Sequence, residues 1–140
     1  MSASFVLDCS LTMSWCFGDE ASAAAFAVLD RLGSETAVVP SHWFLDVTNV
    51  LTMAEKRKWM TAPATTEFLK LLSALDIEID NVTADRAFPH VLPLCRKYNL
   101  TSYDAAYLEL AIRRQLPLAS LDNELRAGAK KAGVQVLGKK

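Results

Sequence analysis

Residues 117–137 read PLASLDNELRAGAKKAGVQVL. PLASLD (117–122) is a short apolar run of strand length, NELRAGAKKAG (123–133) has a helical pattern closed by Gly133, and VQVL (134–137) alternates β-branched residues. Strand, helix and strand in immediate succession is the order that builds a parallel sheet, because two parallel neighbours need a crossover between them. The same alternation runs back through the chain. FVLD (5–8), TAVVP (36–40) and IEIDNV (77–82) bring the strand-like runs to five. Helical patterns fill the gaps: SAAAFAVLDRLG (22–33), HWFLDVTNVLTMAEKRK (42–58), TTEFLKLLSAL (65–75) and DAAYLELAIRRQ (104–115). The stretch from Ala84 to Tyr98 also looks helical, but Pro89 and Pro93 should break or kink it. The expectation is a single α/β domain over residues 1–140, with a mostly parallel central sheet of about five strands covered by helices on both faces.

Composition narrows the function. With 51% hydrophobic and 22% charged residues the chain can bury a core without staples, and no stretch reaches the length of a membrane helix. The N-terminus shows no basic region ahead of an uninterrupted apolar run, so no secretory signal is expected and the cytoplasm is the default location. Cys9, Cys16 and Cys95 are an odd set without a CxxC pair, which argues against disulfides and zinc. A net charge of −1 means that any nucleic-acid partner is met by a local basic patch, not a global excess. Lys56, Arg57 and Lys58, Arg113 and Arg114, and Lys130 and Lys131 end three helical patterns, where cations suit the helix dipole.

The acids are more informative. Asp8 and Asp122 end strand-like runs, where ligands gather in parallel sheets. Asp104 shares a helical stripe with Leu108, Ala111 and Ile112, while Glu109 and Arg113 point elsewhere. Asp46 borders the stripe of Trp43, Val47, Val50 and Ala54, with Asn49 one turn on. Each acid taken alone is explained by capping or by the helix dipole. Together they occupy one rim of the sheet, where several carboxylates repel one another unless some are protonated or a cation sits among them. All-oxygen donors select hard Mg²⁺ or Mn²⁺.

The four stretches carrying these acids resemble the PIN-domain family, and in particular the VapC-type toxin ribonucleases of toxin–antitoxin pairs. VLDCS matches the first motif, VVPSHWFLDVTNVL the second, LTSYDAAYLELA the third and LPLASLDNELRAGAKKAGV the fourth. The family's second motif carries Glu where this chain has Asp46, one methylene shorter. The resemblance implies Mg²⁺- or Mn²⁺-dependent cleavage of RNA, with Asp8, Asp104 and Asp122 holding the metal and Asp46 assisting. Ser10, Asn49 and Ser120 are expected as polar support for those carboxylates. It also implies a homodimer, a cognate antitoxin and no membrane association. Leu110, opposite the buried stripe of its helix, is expected with Trp15 and Phe17 on an apolar surface.

Rival readings are a housekeeping RNA-processing nuclease of the same fold and an interaction module weakened in catalysis. A dehalogenase-type phosphatase wants a second Asp two residues after the first, where Ser10 stands. A receiver domain wants Lys at a late strand end, where Leu137 and Gly138 stand. His42 and His90 have no partner motif and are assigned no chemistry. Trp15, Trp43 and Trp59 are read as packing residues before base-stacking ones.

Overall fold

The computed structural model describes residues 2–17 and 23–139. Phe5–Leu7 forms β1, Ala37–Pro40 β2, Ile77–Asp80 β3, Leu118–Ala119 β4 and Val136–Leu137 β5. They make one sheet in the order β3-β2-β1-β4-β5, every neighbouring pair parallel. Phe5, Val6, Leu7, Ala37, Val38 and Val39 are all fully buried. Successive strand side chains point to opposite faces, so complete burial of consecutive residues means that both faces of the central strands are covered. The chain enters at β1, builds outward through β2 to β3, then crosses back to β4 on the other side of β1. The carboxyl ends of β1 and β4 therefore flank the point where strand order reverses, the place where such sheets bind ligands.

The helices are α1 (Cys9–Ser14), α2 (Ala23–Arg31), α3 (Trp43–Lys56), α4 (Ala62–Ser73), α5 (Thr83–Arg86), α6 (Leu92–Tyr98), α7 (Ser102–Arg114) and α8 (Asn123–Lys131). Ser22, where the sequence reading starts the second of these, lies outside the described residues. Between α5 and α6, Ala87–Val91 forms a π-helical turn containing Pro89, and Pro93 sits in the first turn of α6. The prolines thus kink the segment without breaking it, since a proline in a first turn removes no needed donor and a π-turn absorbs the other. Among the described residues no helix is long and apolar enough to cross a membrane.

α7 departs from its expected one-sided burial. Every residue from Ala105 to Ala111 is buried, including Leu110, which is 1% exposed and so belongs to the core and not to an apolar surface. Trp15 is buried as well. The reason is that α7 packs on β1, β2 and β4 and is also covered by α6, α8 and the π-turn. Glu109, expected to point away, is 5% exposed and bonded to Arg86 and Arg113. Arg113 also makes a two-pronged contact with Asp80, and Arg114 reaches Glu78 at 2.6 Å. This network ties the C-terminal half of α7 to the edge strand β3.

Candidate functional site

Asp8 leaves β1 and caps α1, its Oδ1 accepting the Leu11 N–H at 2.9 Å. Two serines complete its shell. Ser10 Oγ donates to the carboxylate at 2.9 Å and accepts the Leu121 N–H at 2.9 Å. Ser120 Oγ donates to Oδ2 at 2.6 Å and accepts the Asp122 N–H at 3.0 Å. Each hydroxyl thus takes a backbone hydrogen from the loop after β4 and passes its own to Asp8, which locks the ends of β1 and β4 together. Arg126, buried at 7% exposure, holds the same loop from behind by donating to the Ser120 and Leu137 carbonyls.

The other acids arrive on helix starts. Asp46 lies in the first turn of α3, where its Oδ2 accepts the Tyr107 hydroxyl at 2.7 Å. Asp104 lies in the first turn of α7, which Thr101 caps by accepting the Asp104 N–H at 3.2 Å. Asp122 caps α8 by accepting the Leu125 N–H at 2.8 Å. Asp8, Ser10, Asp46, Asn49, Asp104 and Asp122 line one cavity of about 280 Å³, together with Cys9, Val50, Tyr103 and Tyr107. Ser120 lies fully buried behind Asp8. Capping and clustering are therefore not alternatives: all four acids sit at helix starts, and those starts converge at the strand ends.

Electrostatics sets the state of the pocket. Burial pushes Asp8 up to about 7, against the pull of the Leu11 N–H and the two serines, and Asp104 adds to the rise. Asp104 itself is pushed up to about 6, first by desolvation and then by the charges of Asp122 and Asp46. Asp8 and Asp104 thus resist ionisation in a cavity they share with two further carboxylates, and a hard divalent cation is what such a donor set accommodates. Among the described residues, however, no three carboxylate, thiol or imidazole side chains stand close enough to share one ion as placed. Asp8 is turned to its serines, Asp46 to Tyr107 and Asp122 to its own helix. Cys9, beside them, is pushed up to about 12 by burial and then by Asp46, Asp8 and Asp104, so it stays a thiol and no nucleophile.

Two residues here had no role in the sequence reading. Tyr107 is 1% exposed, its hydroxyl held far above the ordinary range by burial and by Asp46. His42 Nε2 donates to the Tyr103 carbonyl at 3.0 Å, stands 3.5 Å from Asp46 Oδ2 and packs on the Tyr107 ring at 4.8 Å between centroids. The spacing from His42 to Asp46, four residues on one helix, is the signal that would have found it. His90 lies elsewhere, beside Arg86 and Glu109.

The PIN domain family model matches residues 5–131. Among solved structures, PAE2754 of Pyrobaculum aerophilum superposes with a TM-score of 0.69 at 22% identity, over 97% of this chain and 92% of that one. A toxin–antitoxin complex from Klebsiella pneumoniae gives 0.54 at 21% identity, over 91% and 92%. VapC20 of Mycobacterium tuberculosis, a sarcin-ricin loop cleaving toxin, gives 0.59 at 16% identity, over 89% and 94%. At these identities the likeness is one of fold. No curated protein matches the sequence.

Proposed function

The chain belongs to the PIN domain family, and on that premise we propose that it is a cytoplasmic Mg²⁺- or Mn²⁺-dependent endoribonuclease, the toxin of a toxin–antitoxin pair. The observation that carries this reading is the arrival of Asp8, Asp46, Asp104 and Asp122 in one cavity at the reversal point of the sheet, with Asp8 and Asp104 pushed toward neutrality. The whole domain, residues 1–140, is assigned to this one activity.

When bound, the divalent ion supplies a more acidic water and positive charge beside the phosphate and leaving oxygen. Asp8, Asp104 and Asp122 would hold it, with Asp46 as the fourth carboxylate. Ser10 and Ser120 fix the plane of Asp8 through their hydrogen bonds, holding its carboxylate in one orientation at the cavity wall. Tyr107 does the same for Asp46. Any of these carboxylates left free of the ion would be placed to orient a water and accept its proton. Asn49, exposed at the cavity rim one turn after Asp46, is positioned to support that carboxylate or a phosphate oxygen. Without the cation the acidic pocket repels the RNA backbone, so binding and cleavage depend on the same ion.

Support for the partners comes from the neighbours: one is described as a sarcin-ricin loop cleaving toxin and another as a toxin–antitoxin complex. A cognate antitoxin and a homodimer are accordingly assigned here, with exposed apolar side chains such as Leu45 and Phe88 available to such contacts. The test is incubation of purified protein with mixed RNAs, with Mn²⁺ or EDTA, beside Asp8→Asn and Asp104→Asn. Cleavage by wild type alone, and only with metal, is expected; equal degradation by the variants would sink the metal-site assignment. A small upstream reading frame encoding a DNA-binding antitoxin separates toxin from housekeeping nuclease, since its absence removes the toxin role and leaves the nuclease.

A further inference from the structure

The structure separates three tryptophans that the sequence treats alike. Trp43 is 3% exposed and donates to Thr12 Oγ1, and Trp15 is 8% exposed and donates to the Ala25 carbonyl, whereas Trp59 is 68% exposed. Its setting is specific. α3 ends with the Lys58 N–H bonded to the Glu55 carbonyl and the Trp59 N–H to the Ala54 carbonyl, the paired closure of a Schellman motif. Lys58 occupies the left-handed position of that motif with φ 60°, where glycine is usual. The residue that follows the left-handed one commonly packs back on the helix, yet here the indole stands in solvent. Arg57 lies over one face of the ring, its Cζ 5.1 Å from the centroid, and the exposure leaves the other face open. Lys56, Arg57 and Lys58 are exposed, and among the described residues none is in an ion pair.

This platform is aligned with the acid cavity. Asp46 and Val50 line the cavity from α3, and Met53, exposed, continues their stripe to Arg57. Eleven residues at about 100° each return to within about 20° of the same helix face, and at about 1.5 Å per residue they advance about 16 Å. Stacked nucleotides at about 3.4 Å each cover that span in about five steps. An exposed indole braced by a guanidinium, among unpaired cations on a chain of net charge −1, matches a ligand that is both anionic and π-faced.

We propose that Trp59, braced by Arg57, stacks a base of the single-stranded RNA substrate about five nucleotides from the bond cleaved, with Lys56 and Lys58 meeting the adjoining phosphates. The inference rests on the ribonuclease reading above. The experiment measures binding of a labelled, 2′-O-methylated single-stranded RNA of about 12 nucleotides in Mn²⁺, cleavage of its unmodified form and cleavage of a dinucleotide. Trp59→Ala should weaken binding and raise KM roughly ten-fold or more. Its kcat and its dinucleotide cleavage should stay unchanged, and Trp59→Phe should keep most of the affinity. Lys58→Ala should lower the slope of log affinity against log salt by about one. If wild type and Trp59→Ala bind and cleave alike, the platform is wrong and the ribonuclease reading stands. If wild type neither binds nor cleaves RNA, both fail. If Trp59→Ala leaves RNA affinity intact but changes the sedimentation of the protein, the patch is a contact between copies and the inference is overturned.

Discussion

Replacing Asp8 by Asn is expected to stabilise the metal-free protein at about pH 8 while abolishing its response to divalent ion. Asp8 rises from 3.8 to about 7 on folding, chiefly through burial. In the window between those values the folded chain holds a proton that the unfolded chain has lost, so stability falls as pH rises and the full penalty is present above about pH 7. At roughly 1.4 kcal/mol per pKa unit the penalty amounts to about 4 kcal/mol, most of which falls between about pH 5 and pH 7. Asn retains an oxygen for the Leu11 N–H, but a serine that donated to a carboxylate must now turn, at about 1–2 kcal/mol. The net gain at about pH 8 is then about 2 kcal/mol, vanishing or reversing at about pH 5. The assay is urea unfolding of both proteins in EDTA across this range, taking the difference between them so that other groups cancel. Saturating Mn²⁺ should then raise wild-type stability by about 2.7 kcal/mol at a hundred times Kd, and the variant by much less. Identical pH slopes in wild type and Asp8→Asn would refute the account of the pocket as a store of unrelieved charge.

Tyr107→Phe removes the donor that holds Asp46, and should weaken Mn²⁺ binding, read by calorimetry, about ten-fold while costing about 1–2 kcal/mol of stability. Asp46→Glu restores the longer arm and should preserve or raise Mn²⁺-dependent cleavage; a large loss would show that this carboxylate does not serve the metal. Arg113→Ala strips Asp80 of its two-pronged partner and leaves buried Glu109 with Arg86 alone, so denaturant titration should show a loss of about 3 kcal/mol. Arg114→Ala, which breaks a half-exposed pair with Glu78, should cost under about 1 kcal/mol in the same assay.

The strands were legible because burial on both faces demands short runs that are apolar at every position, as FVL and AVV are. Capping by Asp122 was legible because such a cap acts on a backbone group three residues away. The boundaries were not. IEIDNV pairs only through Asp80, and PLASLD only at Leu118 and Ala119, since a strand ends where its neighbour does. α1 escaped notice because CSLTMS is too short for a helical period to stand out from the end of β1. Glu109 and Leu110 were misplaced because a helix read alone has one buried stripe, while α7 is covered both by the sheet and by α6, α8 and the π-turn.

The candidate site divides in the same way. Sequence alone determined which carboxylates share a rim and roughly where they sit, because strand ends and helix starts are local features and in a parallel sheet they lie together. Only the tertiary structure decided their chemistry. It closed Asp8 between serines 110 residues apart in the chain, gave Asp46 the hydroxyl of Tyr107 on another helix, and left Trp59 alone of three tryptophans in solvent. Burial and through-space contact belong to no residue by itself; they arise when segments far apart in the chain are packed against one another, and the raised pKa values of Asp8 and Asp104 follow from that packing.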